Sequence, residues 1–242
     1  MIRQVKTRIA RAWASIALLS VEMVVILGLF FAALTAFAWL VRRVFVLEKT
    51  EFDARAFEAL GGYVNPLNNE VMHFFTFLGT HYFLIPANLV LVGWFLFVRP
   101  HKWYSIKVPA IAISSLIIML LLKEFFGRDR PLIPLLETAR GFSFPSGHAF
   151  MSTTFYGLLA YLAWQHIPNR VLRLALGTAL WLLILIIGLS RIYLRVHYTS
   201  DVLAGLSLGI VWLMISLTAI RQIELWSKRS VTVVEPVTIR QD

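Results

Sequence analysis

Six apolar runs divide this chain: Ile16–Val41, Val71–Val98, Val108–Phe126, Ala149–Trp164, Val171–Leu189 and Val202–Ile220. As helices at about 1.5 Å per residue, each spans roughly 25 to 40 Å, comparable to the hydrocarbon thickness of a bilayer. Lipid offers the backbone no hydrogen-bond partner, so segments of this kind satisfy themselves as helices. The expected fold is all-α: a polytopic membrane protein with six transmembrane helices and a short interfacial helix between the first and second. It forms a single domain over 1–242, with its core at 71–220 and tails at 1–15 and 221–242. A chain that is 59% hydrophobic and only 15% charged has too little polar surface for an ordinary soluble domain.

The first run follows Arg3, Lys6, Arg8 and Arg11 and exceeds the roughly 7- to 15-residue core of a signal peptide, so it reads as a retained helix. Glu22 lies inside it. The expectation there is a carboxylate near the interface paired with Arg8 or Arg11, with a buried proton site as the sharper alternative. In the polar connection that follows, Thr50 and Asp53 fit a capping box and Gly61 a helix stop. Phe52, Ala56, Phe57 and Leu60 share one face, which suits a helix lying in the interface as a connector or a gate for lipid.

An even number of crossings puts both termini on one side. That side receives 13 of the 23 Lys and Arg, and the bias sharpens once the basic residues of the candidate site below are set aside, so the termini are assigned to the cytoplasm. The net charge of +10 does not point to nucleic acid, because the basic residues gather at the ends of apolar runs and form no basic helix. With no cysteine in the chain, disulfides, thiolate metal sites and thiol catalysis are excluded.

Alternating helix directions bring three polar clusters to the outer side: K-E-F-F-G-R-D-R-P (Lys123–Pro131), F-P-S-G-H (Phe144–His148) and S-R-I-Y-L-R-V-H-Y-T-S-D (Ser190–Asp201). Ionisable groups at a membrane edge are expensive and call for a functional reason. In the second cluster Ser146 is a good amino-terminal cap and Gly147 allows close approach to the backbone, so the free N–H groups of the helix start form an anion site. Lys123, Arg130 and Arg191 add cations suited to phosphate. Arg128, Arg140 and Arg195 fit equally well as interfacial residues, with Glu124 and Asp129 as counter-ions.

His197 precedes Asp201 by four residues, a spacing that shares one helical face. A carboxylate on one ring nitrogen makes the other more nucleophilic, and attack on phosphorus would give a phosphohistidine. His148 is placed to protonate the leaving oxygen and later to activate water. The surrounding cations disfavour a divalent metal, so neither metal nor cofactor is expected. His73, His81, His101 and His166 lack such company and read as interfacial or packed residues, His73 and His81 being the two to check.

These residues resemble the type-2 phosphatidic acid phosphatase superfamily of membrane lipid phosphatases. Its signature is Lys, six residues, Arg-Pro; then Pro-Ser-Gly-His; then Ser-Arg, five residues, His, three residues, Asp. Lys123 with Arg130-Pro131, Pro145 to His148, and Ser190-Arg191 with His197 and Asp201 match every position. The resemblance implies a metal-independent phosphatase in which Lys123, Arg130, Ser146, Gly147 and Arg191 hold the phosphate. His197 is then the nucleophile, His148 the acid/base and Asp201 the orienting partner. It further implies a lipid phosphate or diphosphate as substrate, in the order undecaprenyl diphosphate, phosphatidylglycerol phosphate, phosphatidic acid. The site would open at the outer face of the cell membrane, with membrane lipids as the partners. The alternatives are a lipid phosphotransferase and a non-catalytic lipid-phosphate binding or transport protein.

Overall fold

The computed structural model describes residues 21–131, 135 and 141–232, and all regular structure there is helical. In chain order the helices are α1 (Val21–Phe45), α2 (Glu51–Gly61), α3 (Pro66–Leu78), α4 (His81–Gly93), α5 (Lys102–Phe126), α6 (Gly147–His166), α7 (Arg170–Tyr193) and α8 (Thr199–Thr232). A wider π-helical turn, Trp94–Val98, prolongs α4. The expected tail at 1–15, the Arg8 and Arg11 partners of Glu22, the side chain of Glu22 itself and Arg140 lie outside the described residues, as does 233–242 of the tail expected at 221–242, whose first part, 221–232, continues α8.

The second apolar run is two helices. Asn65 caps α3 by accepting from the Asn68 N–H (2.9 Å), with Pro66 as the first helical residue. The chain breaks at Gly79-Thr80. A Cβ on Gly79 would lie 2.7 Å from Ile187 Cγ2, 3.0 Å from Ser152 Oγ and 3.1 Å from His148 Cδ2, so the bare backbone presses against α6 and α7. Tyr156 donates its hydroxyl to the Leu78 carbonyl (2.9 Å), satisfying one orphan acceptor of the α3 end. Tertiary contact, invisible to hydropathy, places the break.

Among the described residues, five segments are long and apolar enough to cross a membrane: Met23–Phe45, His81–Val98, Lys102–Phe126, Arg170–Tyr193 and Thr199–Lys228. The fourth expected run, now α6, is not among them. Its first turns read G-H-A-F-M-S-T-T-F-Y, and Ala149, Phe150 and Ser152 through Leu158 are all buried. A helix enclosed by its neighbours needs no lipid-facing stripe. Its hydroxyls turn back on their own backbone, Thr153 to the Ala149 carbonyl (2.7 Å) and Thr154 to that of Met151 (3.0 Å).

Where α8 crosses α6, glycine makes the closest contact. A Cβ on Gly205 would meet the Ser146 carbonyl oxygen at 2.6 Å and the Phe150 nitrogen at 3.2 Å, and one on Gly209 would meet Thr153 Cβ at 2.6 Å. Backbone atoms cannot step aside as a side-chain tip can. Gly205→Ala is therefore expected to destabilise the protein by about 1–3 kcal/mol and to displace Ser146. Thermal unfolding in detergent checks this against Gly177→Ala, whose Cβ would have no atom within 4 Å.

α1 closes one flank through Phe37, Leu40, Val41 and Phe45, which pack on Phe126, Phe144 and Ala204. The Phe45, Phe126 and Phe144 rings lie 4.9 to 5.1 Å apart, fixing the end of α5 against the loop that precedes α6. Of the expected interfacial face of α2, Ala56, Phe57 and Leu60 pack on Ala149, Ile192 and Val202, whereas Phe52 stays exposed. Asp53 lies on the same face and is 2% exposed. The expected capping box is not formed, because Thr50 makes no side-chain cap bond and the Asp53 carboxylate is engaged elsewhere.

Candidate active site

Three clusters distant in sequence meet at one end of the bundle. α5 ends at Gly127 in the left-handed region (φ 58°), and the chain then runs antiparallel to the 141–146 loop. The Ser143 N–H donates to the Arg128 carbonyl (2.7 Å). Lys123 Nζ donates to the Phe142 carbonyl. Arg130 donates from Nε to the Gly141 carbonyl (2.8 Å) and from Nη1 to the Val196 carbonyl (2.8 Å). The Ser146 N–H donates to the Asp201 carbonyl (3.0 Å), joining the second cluster to the third. Charged side chains thus fold the loops as well as lining the site.

His197 is 1% exposed. Arg130 Nη1 lies 3.3 Å from its Nε2. A guanidinium can only donate, so Nε2 carries the lone pair and Nδ1 the proton. That proton faces Ser143 Oγ at 3.3 Å and Asp201 Oδ2 at 3.5 Å. Ser143 in turn donates its hydroxyl to Asp201 Oδ2. The expected direct His–Asp pair is therefore drawn out, with Ser143 beside it as a relay. Burial, and then the charges of Arg191, Arg130 and Lys123, hold the His197 imidazole well below the ordinary histidine range. Both influences favour the neutral ring.

The expected phosphate ligands gather around this ring. Arg191 is 4% exposed, and its Nη1 donates to Thr76 Oγ1 (2.5 Å) from α3. Gly147 brings its backbone against α5, where a Cβ would lie 3.3 Å from Met119 Sδ and 3.7 Å from Lys123 Cε. Ser146 takes the N-cap position of α6, but its hydroxyl makes no cap bond. Ser146 Oγ, His148 Nε2 and Arg191 Nε are all buried with no hydrogen-bond partner among the described residues. Buried polar atoms without partners are costly in a native core. Two of these atoms belong to expected phosphate ligands and one to the expected acid.

Other expected residues fall elsewhere. His73 and His81 are exposed, while His101 caps α5 by accepting from the Tyr104 N–H (3.3 Å). The His166 ring stands edge-on to Tyr104, 5.0 Å between centroids. Arg128 is a correction. It does not pair with Glu124 or Asp129; its guanidinium reaches Asp201 Oδ1 (2.6 Å) and Asp53 Oδ2 (3.0 Å). Ser143, Thr76, Gly79 and Asp53 carry no local signature of a site. One cue existed for Asp53, a carboxylate in register with the apolar face of Ala56, Phe57 and Leu60.

Comparison with known proteins points to one family. A family model described as the PAP2 superfamily matches residues 104–224. Phosphatidylglycerophosphatase B of Bacillus subtilis (strain 168) is 32% identical over 151 residues, covering 60% of this chain and 72% of the relative. A putative undecaprenyl-diphosphatase, YbjG, of Escherichia coli (strain K12) is 32% identical over 128 residues, 51% of this chain and 60% of that protein. The crystal structure of a transmembrane PAP2-type phosphatidylglycerolphosphate phosphatase from Bacillus subtilis superposes with a TM-score of 0.73. It is 26% identical and covers 80% of this chain and 96% of its own.

Proposed function

The chain belongs to the PAP2 superfamily, and from that premise we propose that it hydrolyses the terminal phosphate of a membrane lipid phosphate or diphosphate through a phosphohistidine on His197. The observation that carries the reading is the set of buried, unpartnered atoms Ser146 Oγ, His148 Nε2 and Arg191 Nε beside a histidine whose Nε2 holds the lone pair.

The phosphate seats between the start of α6 and the cations Lys123, Arg130 and Arg191. Its oxygens take over the Arg130 donor and so release His197 Nε2, which attacks phosphorus as the bond to the lipid oxygen breaks. The leaving oxygen takes a proton from His148. The developing imidazolium charge on His197 is balanced by Asp201, through Nδ1–H and Ser143. Water then attacks the phosphohistidine and gives its proton to His148. The P–N bond breaks, inorganic phosphate leaves, and neutral His197 is restored.

α6 is the sixth crossing, both termini are cytoplasmic, and the site opens at the outer face, where a lipid keeps its tail in the bilayer and raises only its head group. In this reading phosphatidylglycerol phosphate ranks ahead of undecaprenyl diphosphate and phosphatidic acid, a ranking supported by similarity over a longer stretch to the phosphatidylglycerophosphatase. Catalysis needs no metal in this reading, because Lys123, Arg130 and Arg191 already place positive charge beside both histidines. Purified protein is expected to release inorganic phosphate from one or more lipids of this panel, undiminished by a chelator. Loss of turnover on chelation would overturn the metal-free mechanism. A newly phosphorylated acceptor lipid without free phosphate would make the protein a phosphotransferase, and binding without turnover a carrier.

A further inference from the structure

We propose that Arg128 and Asp53 are positioning residues for this reaction. By bridging Asp201 to α2, they hold the Asp201 carboxylate in the one orientation that serves His197 through Ser143. The proposal rests on His197 being the nucleophile.

Asp201 has no exposed surface, and a carboxylate taken out of water needs a cation and donors for both oxygens. The cations expected to bind phosphate are directed elsewhere: Lys123 to the Phe142 carbonyl, Arg130 to Gly141, Val196 and His197, and Arg191 to Thr76. Arg128 is the cation on Asp201, with Nη1 at 2.6 Å from Oδ1. That leaves Oδ2 for the Tyr198 N–H (2.9 Å) and the Ser143 hydroxyl. Rotation of the carboxylate would break all three bonds at once.

Arg128 is itself held on three sides. Its guanidinium lies 4.1 Å from the Tyr198 ring centroid, Nη1 also donates to Ser200 Oγ (2.7 Å), and Nη2 reaches Asp53 Oδ2 (3.0 Å). Asp53 completes the frame from α2. Its Oδ1 accepts from the Ser200 N–H (2.8 Å), and its Oδ2 accepts from the Ser200 hydroxyl (2.7 Å). One planar fork thus joins a carboxylate from an outlying helix to the carboxylate of the catalytic group, a geometry an ammonium cannot copy. Both residues lie behind His197, on the side of Nδ1, so the phosphate does not touch them. Their removal should cost turnover and spare binding.

The test measures kcat and KM for lipid phosphate hydrolysis, and the Ki of inorganic phosphate as competitive inhibitor. Purified wild type is compared with Arg128→Lys, Asp53→Asn, the double variant and His197→Ala, with thermal midpoints recorded for all. Arg128→Lys is expected to lower kcat roughly 10²-fold, as loss of one preorganised electrostatic partner does, with KM and Ki changed less than about threefold. Asp53→Asn should lower kcat by a smaller factor in the same pattern. The double variant should fall no further than Arg128→Lys, because the two act as one unit. A raised Ki or KM would make Arg128 a phosphate ligand and overturn the proposal. So would an unchanged kcat, or multiplied single effects in the double variant. Activity persisting in His197→Ala removes the nucleophile assignment itself, and absence of turnover by wild type removes the phosphatase reading, the positioning role falling with either.

Discussion

Replacing His197 by Ala is expected to reduce turnover roughly 10⁴- to 10⁶-fold, the scale on which enzymes lose a covalent nucleophile, and to abolish an acid-labile phosphoenzyme. Brief reaction with ³²P-labelled lipid, quenched in alkali and counted on the protein, measures this directly. Label persisting in the variant would assign the nucleophile elsewhere. The depressed pKa of His197 adds a sign that can be checked. Because the attacking form is the neutral ring, a pKa below its usual value of about 6.5 moves the acid limb of kcat/KM attributable to His197 below that pH. His148→Ala should behave differently. With a diphosphate, whose leaving group needs little protonation, the first step survives better than the second, and labelled enzyme accumulates as a burst.

Arg191→Lys carries the second-largest expectation, a fall of roughly 10²- to 10³-fold in kcat/KM, comparable to removing a donor aimed at transition-state charge. Arg191 is rooted by Nη1 on Thr76 while its Nε is buried without a partner among the described residues. Lysine keeps the charge but cannot hold Thr76 and a phosphate oxygen together in one plane. Thr76→Val should reproduce part of the loss by releasing the anchor. Steady-state kinetics with an unfolding control is the measurement. An Arg191→Lys enzyme at wild-type efficiency would remove Arg191 from the phosphate cradle.

The residues that meet the phosphate in this reading were legible in sequence, because Lys123, Arg130, Ser146, Gly147, His148, Arg191, His197 and Asp201 sit in short motifs at the ends of apolar runs. Their position at the ends of apolar runs was enough to expect them at one end of the bundle, although the expected six crossings are not what the described residues show, where five segments are long and apolar enough to cross a membrane. What supports them was not legible. Thr76 and Gly79 lie inside what reads as one continuous span, and the break that presents them comes from contact with Ile187, Ser152 and His148. Ser143 is a small polar residue between two phenylalanines, with nothing local to mark its burial. Arg128 looked like an interfacial cation because its partners, Asp53 and Asp201, are 75 and 73 residues away. Asp53 could be explained by a local cap, and a sufficient local explanation hid a distant one.

The enclosure of α6 bears on how this protein is assembled. The segment that begins at the proposed phosphate site is not among the described segments long and apolar enough to cross a membrane; it is rich in hydroxyls and packed by neighbours that come before and after it in the chain. Taken as the sixth crossing, it is solvated by protein in place of lipid and enters the bilayer securely only in the company of α4, α5, α7 and α8. The last element to arrive, α8, both seals α6 through Gly205 and Gly209 and delivers Asp201. On the proposed mechanism, the arrival of α8 both completes the packing around α6 and supplies the carboxylate that serves His197.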